Sequence, residues 1–235
     1  MRPSSSVFRF KQFSVKHCLS SLKVTTDAVL LGAWVDATKA AHILDIGTGS
    51  GVLALMMAQK YSDAMIDAID IDAASVEEAK FNFSQSPWSA RLSATCQDFK
   101  SFETEKKYDL IITNPPYFID SLPSTSMQKA TAKHDGALTY EQLINGITKL
   151  ITEDGEAFLI LPFVNFDRLA QIADSHNLYI KNTLEVCSFQ FKKPYVVLVS
   201  LRKQISKTES EKLVIRNSDL SYTAAYQNLT AEFYL

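Results

Sequence analysis

Four residues, Asn114-Pro115-Pro116-Tyr117, follow directly on the apolar run Tyr108–Thr113. Two prolines in succession remove two backbone donors and hold the chain extended, so carbonyls there stay available to a ligand. An amine attached to a planar conjugated ring is a poor nucleophile, because its lone pair is delocalised into the ring. The amide oxygen of Asn114 and the carbonyl of Pro115 can each accept one N–H of such an amine. Together they would aim the lone pair at an electrophilic carbon and stabilise the positive charge that grows on nitrogen. The Tyr117 ring would stack on the base. No general base accompanies these residues, so the proton is expected to leave after transfer. The plain alternative is a loop stiffened by proline with no chemistry of its own.

The second cluster is Leu44-Asp45-Ile46-Gly47-Thr48-Gly49-Ser50-Gly51, where a short apolar run meets a helical pattern. Glycines at 47, 49 and 51 allow a close backbone approach to a ligand. The spacing is GxGxG with an acid before it, whereas a dinucleotide fingerprint is GxGxxG, and the lysine of a phosphate-binding loop is missing. Asp45 would repel a pyrophosphate and suits a cation, such as the sulfonium and amino groups of S-adenosylmethionine. Asp70 ends the next strand and can accept both hydroxyls of a ribose. Asp72 falls on the opposite face of that strand and reads as an N-cap for Ala73–Phe83. Asp98, after the third strand, can accept from an adenine amine, with Ile71 and Phe99 flanking the ring. A single aspartate at a strand end is ordinarily a cap or turn residue. Three of them at successive strand ends, after this loop, argue for a ligand. No cluster with metal-ligand spacing accompanies them.

These residues need a scaffold that gathers strand ends. Runs at Ala41–Ile46, Met65–Ile71, Leu92–Gln97, Tyr108–Thr113, Ala157–Leu161, Tyr179–Val186 and Tyr195–Leu201 read as strands. Helical patterns separate them at Gly51–Tyr61, Ala73–Phe83, the capped stretch from Thr139 to Ile151, and Phe166–Asn177. The alternation implies right-handed crossovers and an α/β, Rossmann-like fold with a seven-stranded, mostly parallel sheet. The interval Ser188–Pro194 is too short for a crossover helix, so the last two strands should form an antiparallel hairpin. Before this core, residues 1–40 read as a basic arm followed by a helix, Asp27–Val35, capped by Thr26 or Asp27. After it, residues 203–235 read as a packed extension. It begins with a charged linker, Lys203–Lys212, and continues into a final strand and helix over Leu213–Thr230. All three parts are expected to form one domain with the core at 41–202.

The 235 residues are 46% apolar and 21% charged, the balance of an ordinary soluble protein. No run reaches the roughly 18 uncharged apolar residues of a membrane helix. Cys18, Cys96 and Cys187 are scattered and odd in number, which excludes a disulfide framework and a zinc site and points to the cytoplasm. Net charge is only −2, but its distribution is uneven. The first acid is Asp27, and before it come Arg2, Arg9, Lys11, Lys16 and Lys23; a second acid-free stretch, Ser121–Lys133, holds Lys129 and Lys133. Such faces can follow phosphates or can simply be solvated. The arm (Arg9, Lys11, Lys16) and loop 121–133 are therefore the expected contacts with a nucleic acid. The loop's Ser, Thr and Lys content suggests ordering on binding, and Tyr117 suggests a flipped base. A monomer is expected.

The glycine loop, Asp70, Asp98 and the NPPY tetrapeptide resemble the class I amino-methyltransferases with an [ND]PP[YF] motif. That group acts on adenine N6, guanine N2, cytosine N4 or a protein glutamine. Within it, Phe10-Lys11-Gln12-Phe13, Thr26–Trp34, Gln85-Ser86-Pro87-Trp88, Leu213-Val214-Ile215-Arg216 and Phe233-Tyr234-Leu235 are similar to the bacterial tRNA(Val) adenine-37 N6-methyltransferase family, over nearly the whole chain. The resemblance implies S-adenosylmethionine as cofactor and a tRNA as substrate. It implies cofactor contacts from Asp45, Gly47, Gly49, Gly51, Asp70, Ile71, Asp98, Phe99 and Asn114. Asn114, Pro115 and Tyr117 would do the chemistry. It also brings Thr26 or Asp27 towards the methionine end of the cofactor. A protein glutamine methyltransferase is the main alternative, with an rRNA guanine N2-methyltransferase or a non-enzymatic binding module behind it. The glutamine enzymes ordinarily have a longer, helical N-terminal domain, and here that region is short and basic.

Overall fold

The computed structural model describes residues 7–18, 24–37, 40–115 and 138–234. Two short strands, β1 (Val7–Arg9) and β2 (Ser14–Lys16), pair antiparallel as a hairpin of their own. The helix α1 (Thr26–Trp34) follows. Then strand and helix alternate: β3 (His42–Ile46), α2 (Val52–Lys60), β4 (Met65–Asp70), α3 (Ala73–Ser84), β5 (Leu92–Cys96) and β6 (Tyr108–Thr113). The second half runs α4 (Tyr140–Leu150), β7 (Ile151–Pro162), α5 (Phe166–Ser175), β8 (Tyr179–Phe189), β9 (Val196–Arg202), β10 (Glu209–Arg216) and α6 (Ala224–Thr230).

Strands β3 to β10 form one sheet in the order β10-β8-β9-β7-β6-β3-β4-β5. Every pairing is parallel except those of β9, which runs antiparallel to both β7 and β8. The six-residue connection from β8 to β9, residues 190–195, leaves no room for a crossover, so the chain must turn back. The sheet has eight strands among the described residues, not seven. The extra one is β10, whose first four residues lie in the expected linker and are exposed. A strand at the sheet edge needs one backbone partner only, so its polar composition hides it from periodicity.

Helix ends follow local chemistry. Asp72 caps α3 by accepting from the amides of Ala74 and Ser75, and Thr139 with Gln142 closes a reciprocal capping box on α4. The cap of α1 is Thr25, which accepts from Ala28, in place of the expected Thr26 or Asp27. Those two lie inside the first turn, where Asp27 favours the helix dipole.

Apolar side chains fill both faces of the sheet. On one face α1, α2, α3 and α6 pack with the β1–β2 hairpin, through Leu30, Leu55, Met56, Val76 and Phe233 among others. On the other, α4 and α5 cover the sheet with Leu143, Ile147 and Leu169. The basic hairpin is thus anchored by its aromatic residues. Phe10 and Phe13 are buried, and their rings stack with centroids 4.4 Å apart. Among the described residues no helix is long and apolar enough to cross a membrane, and no His/Cys/Asp/Glu group could hold a metal ion.

Candidate active site

Sheet register sets the site. Ile46 at the end of β3 stands opposite Ile69 of β4 and Thr113 of β6, and Asp70 stands opposite Cys96 of β5. Gly47, Asp70 and Asn114 therefore leave the sheet side by side at one edge, the carboxyl edge where ligands of such sheets gather. The side chain of Thr113 ties two of these ends together, donating its hydroxyl to the carbonyl of Ile46 at 2.8 Å. The amides of Gly47 and Thr48 donate to the Ile69 carbonyl at 2.9 and 3.0 Å.

The three glycines adopt φ of +71°, +55° and +83°, a region costly for any residue with a Cβ. They differ in what a Cβ would meet. At Gly47 and Gly49 it would enter open space, and at Gly51 it would lie 2.5 Å from the Phe83 ring. The first two line the cradle, and the third lets α2 sit close to α3.

Asp45 is fully buried beneath this loop. Its Oδ2 accepts the Thr48 hydroxyl at 2.6 Å and the Ala54 amide at 3.2 Å. Gly51, the N-cap of α2, has no side chain to offer, so Asp45 satisfies an amide of the first helical turn instead. Burial pushes its pKa up to about 7; the Thr48 and Ala54 hydrogen bonds oppose that rise and the charge of Asp70 adds to it. Its Oδ1 is buried without a hydrogen-bond partner among the described residues.

Asp70 accepts the Gly49 amide at 2.8 Å through Oδ2 and the Asp72 amide at 2.9 Å through Oδ1. Each carboxylate oxygen has a second acceptor site, so both remain able to take a hydroxyl. Ile71, next along, is 64% exposed, an apolar side chain held in the open at the strand edge. Asp98 caps the short 3-10 turn Phe99–Ser101 by accepting the Lys100 amide at 2.9 Å, and the Lys100 ammonium lies 3.6 Å away. Phe99 is buried, packed so tightly against α4 that a Cβ on Gly146 would come within 2.6 Å of its ring. Asn114 is half-buried and Pro115 buried. Pro116, Tyr117 and loop 121–133 lie outside the described residues.

Of the basic arm, Arg9 is exposed. Lys11 donates its ammonium to the Ala231 carbonyl at 2.6 Å, just past the end of α6. The Lys16 ammonium lies 5.0 Å from the centre of the Phe81 ring. Asp27 accepts the Tyr195 hydroxyl at 3.0 Å, which ties α1 to the β8–β9 turn. Burial, reinforced by the charge of Asp27, raises the Tyr195 pKa.

One residue of the site escaped sequence reading. Asn82 of α3, only 2% exposed, takes the Lys16 amide on its oxygen at 2.9 Å and donates to the Lys16 carbonyl at 2.8 Å. It also donates to the carbonyl of Ser50, inside the glycine loop, at 2.8 Å. The available signal was a polar stripe, Ser75, Glu78 and Asn82, at helical spacing on a face that is otherwise apolar.

A mostly parallel sheet with one reversed strand near its end, carrying a glycine loop and an acid at the ends of its first two parallel strands, defines a class I, S-adenosylmethionine-dependent methyltransferase. Residues 17–160 match the model of the methyltransferase small domain. A predicted O-methyltransferase from Agrobacterium tumefaciens superposes with a TM-score of 0.68 at 16% identity, covering 88% of this chain and 96% of that one. A putative RNA methyltransferase from Pyrococcus horikoshii gives 0.55 at 14% identity, covering 76% and 82%. In sequence, the tRNA1(Val) (adenine(37)-N6)-methyltransferase of Bacteroides fragilis is 40% identical over 99% of both chains. That of Vibrio campbellii is 40% identical over 97% of this chain and 95% of its own. The chain belongs to the tRNA1(Val) (adenine(37)-N6)-methyltransferase family.

Proposed function

We propose that this enzyme transfers a methyl group from S-adenosylmethionine to N6 of an adenine in RNA, adenine-37 of tRNA(Val). The observation that carries the reading is the alignment of strand ends: the glycine cradle and Asn114 emerge from neighbouring, hydrogen-bonded strands, so the two halves of a transfer site meet at one edge. The relatives' names supply the RNA and the position of the base.

The residues at this edge fit the cofactor. The space beside Gly47 and Gly49 is open, and a carboxylate with spare acceptor capacity, Asp70, stands where a ribose would present its hydroxyls. Ile71 offers an apolar contact for an adenine ring, and Asp45 holds a buried, unpaired oxygen for a cationic group. Asp98 keeps acceptor capacity beyond its cap, for an adenine amine. When bound, S-adenosylmethionine supplies a methyl group made electrophilic by its sulfonium.

The remaining chemistry belongs to the chain. The Thr113 hydroxyl, bonded to the Ile46 carbonyl, fixes the strand end from which Asn114 leaves, so the backbone that carries its amide is set before a substrate arrives. That oxygen and the Pro115 carbonyl accept the two amine hydrogens of the target base. Both acceptors strengthen their hold as positive charge develops on N6, which favours the transition state over the ground state. Tyr117 stacks on the flipped base, and the proton leaves to water after transfer. The arm at 1–40 and the extension at 203–235 act as parts of the same domain as the core at 41–202. The supports are β10 in the sheet and the Phe10 ring stacked near Tyr234. A tRNA substrate places the work in the cytoplasm.

The test is transfer of labelled methyl to a tRNA(Val) transcript, followed by nucleoside analysis. N6-methyladenosine in that transcript, absent from a version with another base at position 37, is the expected outcome. Label taken up by a protein fraction while tRNA stays unlabelled would replace this reading with glutamine methylation.

A further inference from the structure

The sheet edge that carries Asn114 continues past it. Pro162 of β7 and Val186 of β8 both stand opposite Val196 of β9, and Phe189 of β8 stands opposite Arg216 of β10. The β8–β9 turn and the end of β10 therefore lie on the same edge as the candidate site. At about 4.8 Å per strand, β9 stands roughly 10 Å across the sheet from the strand that carries Asn114, β8 roughly 14 Å and β10 roughly 19 Å.

What lies there is an aromatic surface with cations set into it. Phe191 is 74% exposed and stacks on Phe189 with ring centroids 5.7 Å apart and planes 14° from parallel. Next to it in sequence are Lys192 and Lys193, both exposed, with no ion-pair partner among the described residues. Across the groove, the Arg216 guanidinium lies 4.2 Å from the centre of the Tyr222 ring, and that ring is 43% exposed. Leu220 completes the face. It sits at φ +69°, a conformation disfavoured for a leucine, and it is 62% exposed. The turn is held by Arg216, which donates to the Leu220 carbonyl at 2.6 Å. An apolar side chain is thus left in the open beside an arginine already locked in place.

We propose that this face binds the unpaired nucleotides next to the target base, with Phe191 and Tyr222 as stacking platforms and Lys192 and Lys193 on the phosphates. The proposal rests on the RNA substrate assigned above and extends it to a second surface, distinct from the arm and from loop 121–133. Flat exposed rings interleaved with free cations match single-stranded RNA, whose bases each present a π-face and whose backbone repeats its charge. A protein partner would need acidic side chains placed opposite the two lysines, whereas an RNA backbone brings a phosphate with every nucleotide.

The experiment compares the whole enzyme with Phe191→Ala and with the double variant Lys192→Ala/Lys193→Ala, measuring tRNA(Val) affinity over a range of salt, S-adenosylmethionine affinity and transfer rate. Loss of the platform should weaken tRNA binding roughly 5- to 100-fold with little change in the salt slope. Loss of the lysines should flatten the slope of log K against log salt by about 0.7 per phosphate contact. In both, cofactor affinity and the rate at saturating tRNA should match the wild type, which also shows that the variants fold. If the wild type methylates tRNA and both variants bind it with unchanged affinity and slope, this face serves some other partner and the proposal falls alone. If the wild type neither binds nor methylates tRNA, the proposal falls together with the function it rests on.

Discussion

The side-chain amide of Asn82 joins the carbonyl of Ser50 in the glycine loop to the backbone of Lys16 in the N-terminal hairpin, with all three hydrogen bonds between 2.8 and 2.9 Å. The hairpin is fixed to α3 a second time, since the Cys18 amide donates to the buried Glu78. A basic hairpin and the glycine loop are therefore held by one helix face.

Replacing Asn82 by Ala removes these bonds and leaves part-buried backbone groups of Lys16 and Ser50 unpaired. At about 1–3 kcal/mol for each buried group left without a partner, a destabilisation of roughly 2–4 kcal/mol is expected. Thermal unfolding would register it as a clear fall in Tm, and titration with S-adenosylmethionine should show weaker binding alongside. A lower Tm with cofactor affinity intact would confine Asn82 to a structural role.

Alanine at each glycine of the loop should separate stability from binding. Gly51→Ala forces a Cβ into the Phe83 ring and pays the positive-φ strain as well, so it should unfold several degrees lower. Gly47→Ala and Gly49→Ala meet no atom of the described residues and should cost only the strain, about 1–2 kcal/mol. Their methyl groups enter the cradle, so cofactor affinity should drop at least tenfold in both. Equal affinity in all three variants would mean that the open space is not where the cofactor lies.

How much of this was legible in the sequence depended on whether a residue acts through its neighbours in the chain or across the fold. The glycine loop, the Asp72 cap and the Thr139–Gln142 box could be read because each is local, with partners a few residues apart. Strand β10 was partly hidden, since an edge strand pairs through its backbone and can stay polar. The cap at Thr25 lies one or two residues before the expected Thr26 or Asp27, because a run of Thr and Asp offers several side chains able to cap the same turn. Asn82 was not found at all, because its partners are 66 and 32 residues away and only the folded sheet brings them together. Asp45 is a different case: its partners Thr48 and Ala54 are only three and nine residues on, but the turn of the glycine loop is what brings the α2 amide to its carboxylate.

Asn114→Ala tests the chemical assignment. The side chain would lose its acceptor while Thr113 and β6 stay in place, so cofactor affinity should hold within roughly twofold. The rate at saturating RNA should fall by at least 10²–10³, the scale set by removing one preorganised hydrogen-bonding group from a charge-developing centre. Single-turnover methylation of tRNA is the measurement. Retained transfer would remove Asn114 from the mechanism.

Asp45 gives the site a pH dependence of defined sign. Its folded pKa is pushed from 3.8 up to about 7, chiefly by burial, so the folded chain without cofactor holds a proton that the unfolded chain releases near pH 4. The stability this proton provides is complete below about pH 4 and is lost as pH rises to about 7, above which the loss is constant. A cationic ligand reverses the preference, because it favours the ionised carboxylate. Binding of S-adenosylmethionine should then expel a proton, and its affinity should rise from pH 6 towards pH 8 and level off beyond. Isothermal titration in two buffers of different ionisation enthalpy would count that proton directly. Asp45→Asn, which keeps an acceptor for Thr48 and Ala54, should abolish both the proton release and the slope. If the variant keeps them, the titrating group lies elsewhere in the site and Asp45 serves the loop alone.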